Sequence, residues 1–296
     1  MPPKKPLHPY RTLCDVVLLS DITIDTTGVY IAGYAYDTGP RLWAVGPDPV
    51  SQGDPPAPRA LIPQDGPPIS LVRADESGVY AVTSGEILEV DRSSGALTLV
   101  ARTPPAMTLA LALDGEWLYG TTVGEAGGVF RAPKAGGSLE WLFRGRANTV
   151  AASEGRVAYA AAGKLVVHLP GGEPTPVPDV VNPRTLHFFG NELIWTEFDA
   201  AGGIVALDLA TGTRRPLTAA VHPCRLTSAG RHLYWTVALT KPNQPWIWRM
   251  DPQDPASVEP LVKGRSKGGH LAAGAGALVW IDDCGGGAHR MELATI

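Results

Sequence analysis

The chain has 296 residues with a formal net charge of −4, 18% charged and 44% hydrophobic, so it has the composition of a globular protein and not of a disordered one. That length allows one large β domain or two ordinary ones. The mild negative charge, with basic residues clustered only in short pairs such as Lys4-Lys5, argues against a nucleic-acid partner. Gly (34) and Pro (28) are dispersed along the chain, which implies many turns and many short elements. The most apolar stretch, Met107 to Leu113, is far too short to cross a bilayer. The first residues, MPPKKPLHPYRTLCDVVLLSD, have a basic end but no continuous apolar core, so the expectation is a cytoplasmic protein without a membrane partner. Cys14, Cys224 and Cys284 are an odd number without ligand-like spacing, which speaks against a zinc site.

In chain order, residues 1–11 read as a flexible segment. The apolar run TLCDVVLLS from Thr12 reads as a strand. A short motif then recurs: a polar turn with Gly, an apolar residue, an aromatic or apolar pair, and often Thr. Its copies are TTGVYIAG, ESGVYAVT, DGEWLYGT, EGRVAYAA, GNELIWTE, GRHLYWTV and GAGALVWI, with apolar anchors at Val29, Val79, Leu118, Val157, Leu193, Leu233 and Leu278. The anchors lie 50, 39, 39, 36, 40 and 45 residues apart. Seven copies at about forty residues match the period of propeller blades. The third period shows four strand-like runs, MTLALAL, WLYGTTV, GGVFRAP and SLEWLFR, separated by Gly-containing turns. No apolar stripe at helical spacing is sustained. The reading is all-β: residues 1–296 as a single seven-bladed β-propeller, its last blade closed by the N-terminal strand.

The closure follows from a count. The seventh period, Gly269 to Ile296, has three strands and lacks the fourth, while the chain begins with a spare one. Residues 12–19 should therefore pair with the strand near His289 to Leu293. Cys14 and Cys284 would share that blade, without a disulfide. In PWIWRM, Trp246 and Trp248 alternate onto one strand face and should pack between blades.

The copies LYWT at Leu233 and LIWT at Leu193 resemble the YWTD-type propeller repeat. The stretch GGVFRAPKAGGSLEWLFRG from Gly127 is similar to the VYWT–VPKAGG repeat proteins abundant in soil deltaproteobacteria. That resemblance implies a bacterial propeller but no activity, because propellers host many unrelated functions. YWTD propellers usually have six blades, so a count of seven departs from that pattern. The Gly-His and Trp-Asp pairs of WD40 repeats are missing.

In a propeller, the loops leading into strand A and those joining strands B and C share one face around the channel mouth. The first set carries Asn148, Asn182, Arg184, His222, Arg225, Lys267 and His270; the second carries Asp37, Glu125, Glu197, Asp199, Lys241, Asp282 and Asp283. This mixture suits a peptide, a protein partner or a small polar ligand, with Asn148, Asn182, Arg184, Arg225 and Asp283 as its contacts and the protein a monomer. No G-x-S-x-G elbow, Gly-rich phosphate loop or metal cluster is visible, so neither a metal nor a cofactor is expected. The alternative is a lyase- or hydrolase-type enzyme with His222, His270 and Glu197 as acid/base groups. That arrangement is similar to the late-blade His, Glu and His of streptogramin B lyase, also a seven-bladed propeller.

Overall fold

A computed structural model describes residues 10–16, 18–35, 39–46, 58–63, 65–104, 107–124, 126–197, 202–219, 222–238, 245–263, 269–283 and 289–296. Strand β1 (Tyr10–Val16) opens the chain. Sheet one is β2 (Leu18–Asp25), β3 (Gly28–Ala35), β4 (Gly39–Val45) and β5 (Arg59–Ala60); sheet two is β6 (Leu71–Asp75), β7 (Gly78–Val82), β8 (Glu86–Val90) and β9 (Leu97–Arg102). Sheet three is β10 (Thr108–Asp114), β11 (Trp117–Thr122), β12 (Gly128–Pro133) and β13 (Glu140–Arg144). Sheet four is β14 (Ala147–Ser153), β15 (Arg156–Ala161), β16 (Lys164–His168) and β17 (Thr175–Val177). Sheet five is β18 (Pro183–Phe189), β19 (Glu192–Glu197), β20 (Ile204–Asp208) and β21 (Arg214–Thr218). Sheet six is β22 (Pro223–Ala229), β23 (His232–Val237), β24 (Pro245–Asp251) and β25 (Asp254–Lys263). Sheet seven is β26 (Leu271–Gly274), β27 (Ala277–Asp283) and β28 (His289–Thr295), with β1 as its fourth strand.

Each sheet is an antiparallel meander whose strands are A to D in order. The second strand of each carries the recurrent motif and is the most deeply buried; all five residues of β7 are buried. A strand covered on both faces reads as a continuous apolar run and not as an alternation. The apolar cores lie between sheets and run round a cycle. Ile22, Val29 and Ile31 of sheet one pack on Ala272, Val279 and Ile281 of sheet seven. Tyr30 and Leu42 pack on Val72 and Val79 of sheet two. The remaining cores join sheets two to three, three to four, four to five, five to six, and six to seven. Among the described residues no helix is long and apolar enough to cross a membrane.

The closing strand pairs antiparallel with β28, from Tyr10↔Ala294 to Val16↔His289, with a bulge between Thr12 and Cys14. Its bounds differ from the expected residues 12–19. It begins at Tyr10, inside the segment expected to be flexible, and Leu18 and Leu19 already belong to β2, paired with Tyr34 and Gly33. One apolar run thus serves two strands in different sheets. Cys284 lies outside the described residues.

The Thr of the motif has a definite role. At the start of β18 the register passes from Pro183↔Glu197 to Leu186↔Trp195, which sets two residues of strand A against one of strand B. At β22 it passes likewise from Pro223↔Val237 to Leu226↔Trp235. Such a bulge takes backbone N–H groups out of the ladder. The fully buried hydroxyls of Thr196 and Thr236 accept them, from Thr185 N and Arg225 N, each at 3.2 Å.

At the opposite end of the sheets, turns between C and D tie sheets two, three and six to the sheet before each. Lys134 of the APKAGG turn is buried, donates to Ser77 Oγ at 3.0 Å and to the Asp75 carboxylate, and lies 5.7 Å from the Tyr80 ring centre. Arg92 of sheet two pairs with Asp25 of sheet one at 2.9 Å, and Gln253 of sheet six reaches Glu192 of sheet five at 3.2 Å. Trp246 and Trp248 do not share a packing face. Irregular pairing of β24 with β25 on both sides of Ile247 breaks the alternation. Trp246 packs towards sheet seven, while Trp248 stacks on Trp235 at 6.5 Å, towards sheet five.

Candidate functional site

The starts of the A strands and the B–C connections lie at one end of the sheets. The depth of that surface is set by the B–C connections. In sheet four β15 and β16 are joined by Ala162 and Gly163 alone, both at positive φ (50° and 77°). A two-residue turn of this hand matches the strand twist and stays low. A cleft of about 310 Å³ opens above it, between sheets four and five. Its lining includes Arg146, Asn148, Ala162, Asn182 and Arg184. Asn148, Asn182 and Arg184, chosen from sequence as separate loop positions, are thus brought together. Asn148 and Arg184 belong to the bulged starts of β14 and β18 and not to loops. Arg146 was not singled out, because its place one residue before β14 depends on where the strand begins.

Asn182 and His222 hold equivalent positions, each immediately before the Pro that starts an A strand, with φ of 43° and 53°. Asn and His are among the side chains that tolerate this left-handed conformation best. The position of His222 therefore has a backbone reason independent of chemistry. Beyond it, Cys224 and Arg225 fill the bulge of β22. Burial pushes the Cys224 thiol up, against the lowering effect of the Ala238 N–H and of the positive charges of Arg225 and Arg184. The Thr185 hydroxyl donates to the Cys224 carbonyl and ties the two bulges together.

The three residues expected to act as acid/base groups lie in three different sheets, and each has other contacts. Glu197 ends β19, where its Oε1 accepts from Trp195 Nε1 at 3.0 Å and Arg214 Nη2 at 2.6 Å. His270 precedes β26, with Nδ1 3.2 Å from Asp21 Oδ1. Asp21 also binds Arg73 Nη1 at 2.5 Å and Val72 N at 3.0 Å. Arg73 Nε donates to Leu111 O at 3.0 Å, so one polar chain links the inner strands of sheets seven, one, two and three. Burial raises the Asp21 carboxyl, but Arg73, His270 and the Val72 N–H outweigh it and hold it well below the usual carboxylate range. None of the described hydrogen bonds or ion pairs joins any two of His222, His270 and Glu197.

Asp283 ends β27, but its side chain and that of Asp282 lie outside the described residues. So do Asp37, Glu125, Asp199, Lys241 and Lys267. Among the described residues no group of three or more His, Cys, Asp or Glu is placed to hold a metal ion.

Two more recesses open at the same end. One, of about 460 Å³, is lined by Glu197, Gly203, Arg214 and Thr218 on the rim of sheet five, where the ion pair already neutralises the carboxylate. The other, of about 300 Å³, lies between sheets two and three and is lined by Pro68, Ile69, Ser70, Thr83, Met107 and Thr108. It also sits over a short B–C connection, Thr83 to Gly85.

Solved structures share this architecture. The WD40 domain of Neurospora crassa Pan2 is 10% identical with a TM-score of 0.67, over 96% of this chain and 95% of that one. An oligogalacturonate lyase from Vibrio parahaemolyticus is 10% identical with a TM-score of 0.69, over 98% and 93%. A chain of a nidogen/laminin complex is 18% identical with a TM-score of 0.52, over 67% and 82%. The protein is a β-propeller. At these identities the likeness extends to the fold alone. No protein-family model matches the sequence, and no curated relative does.

Proposed function

We propose that the chain is a binding propeller, a monomeric closed ring of seven blades that recognises a peptide, a protein partner or a small polar ligand on its channel-mouth face. The cyclic order of the inter-sheet cores and the pairing of β1 with β28 support the ring. The observation that carries the functional reading is the cleft between sheets four and five. There, side chains from two sheets converge on a concave, mostly polar space large enough for one side chain or a small molecule.

Short peptides and small polar compounds screened by thermal shift should yield ligands whose affinity, by calorimetry, falls tenfold or more in Asn148→Ala. Ligands indifferent to that change but weakened by Arg131→Ala, on the opposite turn face beside Trp117, would overturn this placement. Turnover of a ligand, lost on changing His222 or His270, would replace the binding reading with the lyase- or hydrolase-type one.

A further inference from the structure

The clefts between sheets two and three and between sheets four and five are the same feature of the fold. Each lies over a short B–C connection, between the starts of two successive A strands. The first is lined by Ile69, Met107 and hydroxyl groups. The fold therefore requires no charge at this place. The second is lined by two arginines, Arg146 and Arg184, and two asparagines, Asn148 and Asn182, with no Asp or Glu among the described residues of its lining. Both arginines are exposed, and the chain as a whole is negatively charged. Arg225 follows at the start of the next A strand, in a bulge equivalent to that of Arg184.

Guanidinium presents paired N–H donors that match the two oxygens of a carboxylate, and a carboxamide adds a donor at the side. Two guanidiniums from neighbouring sheets in one concave space also concentrate positive potential there. We propose that the cleft between sheets four and five is a carboxylate-binding site in which Arg146 and Arg184 hold the anion and Asn148 and Asn182 orient it. This rests on the reading of the cleft as the binding site and adds the chemical class of its ligand. The carboxylate can belong to a free small diacid or to acidic side chains of a peptide.

The full chain is titrated by calorimetry with succinate, with an acetylated Glu-Gly-Glu-Gly-Glu peptide and with its Gln counterpart. Succinate or the Glu peptide should bind, and which of them binds more tightly identifies the source. The Gln peptide should bind at least tenfold more weakly than the Glu peptide. Arg146→Gln and Arg184→Gln should each weaken the carboxylate probe tenfold or more. Arg146→Lys and Arg184→Lys should weaken it less, and added salt should weaken it too. Arg102→Gln, an equal charge change on an exposed outer strand, should leave it unchanged. Unaltered melting temperatures certify the variants as folded. Absence of carboxylate binding at millimolar concentration overturns the proposal, as does binding indifferent to both arginines. Asn148→Trp fills the cleft without removing either charge and separates the two claims. If it abolishes binding while both Gln variants keep it, the cleft is the site but its arginines do not hold the ligand. If none of the three matters, the placement fails as well.

Discussion

Asp21 offers the sharpest test of how the ring is held. It sits on the inner strand of sheet one, almost fully buried, and binds Arg73 of sheet two, His270 of sheet seven and the Val72 N–H. Asp21→Ala leaves the Val72 amide buried without its acceptor, at a cost of roughly 1–3 kcal/mol. Arg73 keeps its bond to Leu111 O and is partly exposed, so stranding its charge adds only about 1 kcal/mol. The total is about 3 kcal/mol. Unfolding entropy near 60 °C is about 2.1 cal/mol/K per residue. For 296 residues that makes about 0.6 kcal/mol/K and a fall in Tm of about 5 °C. Because the folded carboxyl titrates below its ordinary 3.8, the stability it contributes is complete above that value and is lost as pH falls below it. Differential scanning calorimetry at about pH 7, 5 and 3 should therefore show a deficit that is constant at the first two and shrinks at the third. A variant within about 1 °C of the parent at neutral pH, or a deficit unchanged at about pH 3, would refute the reasoning.

Two further tests concern the inner strands and the closure. Burial pushes His187 of β18, whose Nε2 lies 2.6 Å from Ser228 Oγ of β22, down from 6.5 to about 4. The stability it contributes as a neutral ring is therefore present above 6.5 and lost as pH falls towards 4. His187→Gln should flatten the pH dependence of Tm across that interval, and an unchanged slope would show that the ring is not held neutral. Deleting residues 1–16 removes the partner of β28 and bares a sheet edge. Light scattering should report association and the melting temperature should fall by several degrees; a monomer of unchanged Tm would mean that β1 does not close the ring.

The repeat was readable in the sequence because its cause is local. A covered central strand must be apolar along its whole length, and a tight turn must precede it, so Val79, Leu118 or Leu233 marks its sheet without knowledge of the others. The Thr of the motif and the Lys of APKAGG were visible as letters, but their purposes were not. Thr196 serves a bulge in the strand beside it, and Lys134 serves a carboxylate nearly sixty residues away, in the preceding sheet. The same division holds for the candidate site. Composition and order placed Asn148, Asn182 and Arg184 on one face. Only the packing of sheet four on sheet five, and the two-residue turn that keeps the B–C connection low, made them one cleft and added Arg146. His270 and Glu197 were chosen as partners from the same face. The ring instead sets His270 against Asp21 across the closure, 249 positions apart in the chain, and Glu197 against Arg214 in its own sheet. Pairings of that range follow from which strands lie side by side, and strand neighbours across a closed ring are decided by the burial of whole sheet faces, which no single segment encodes.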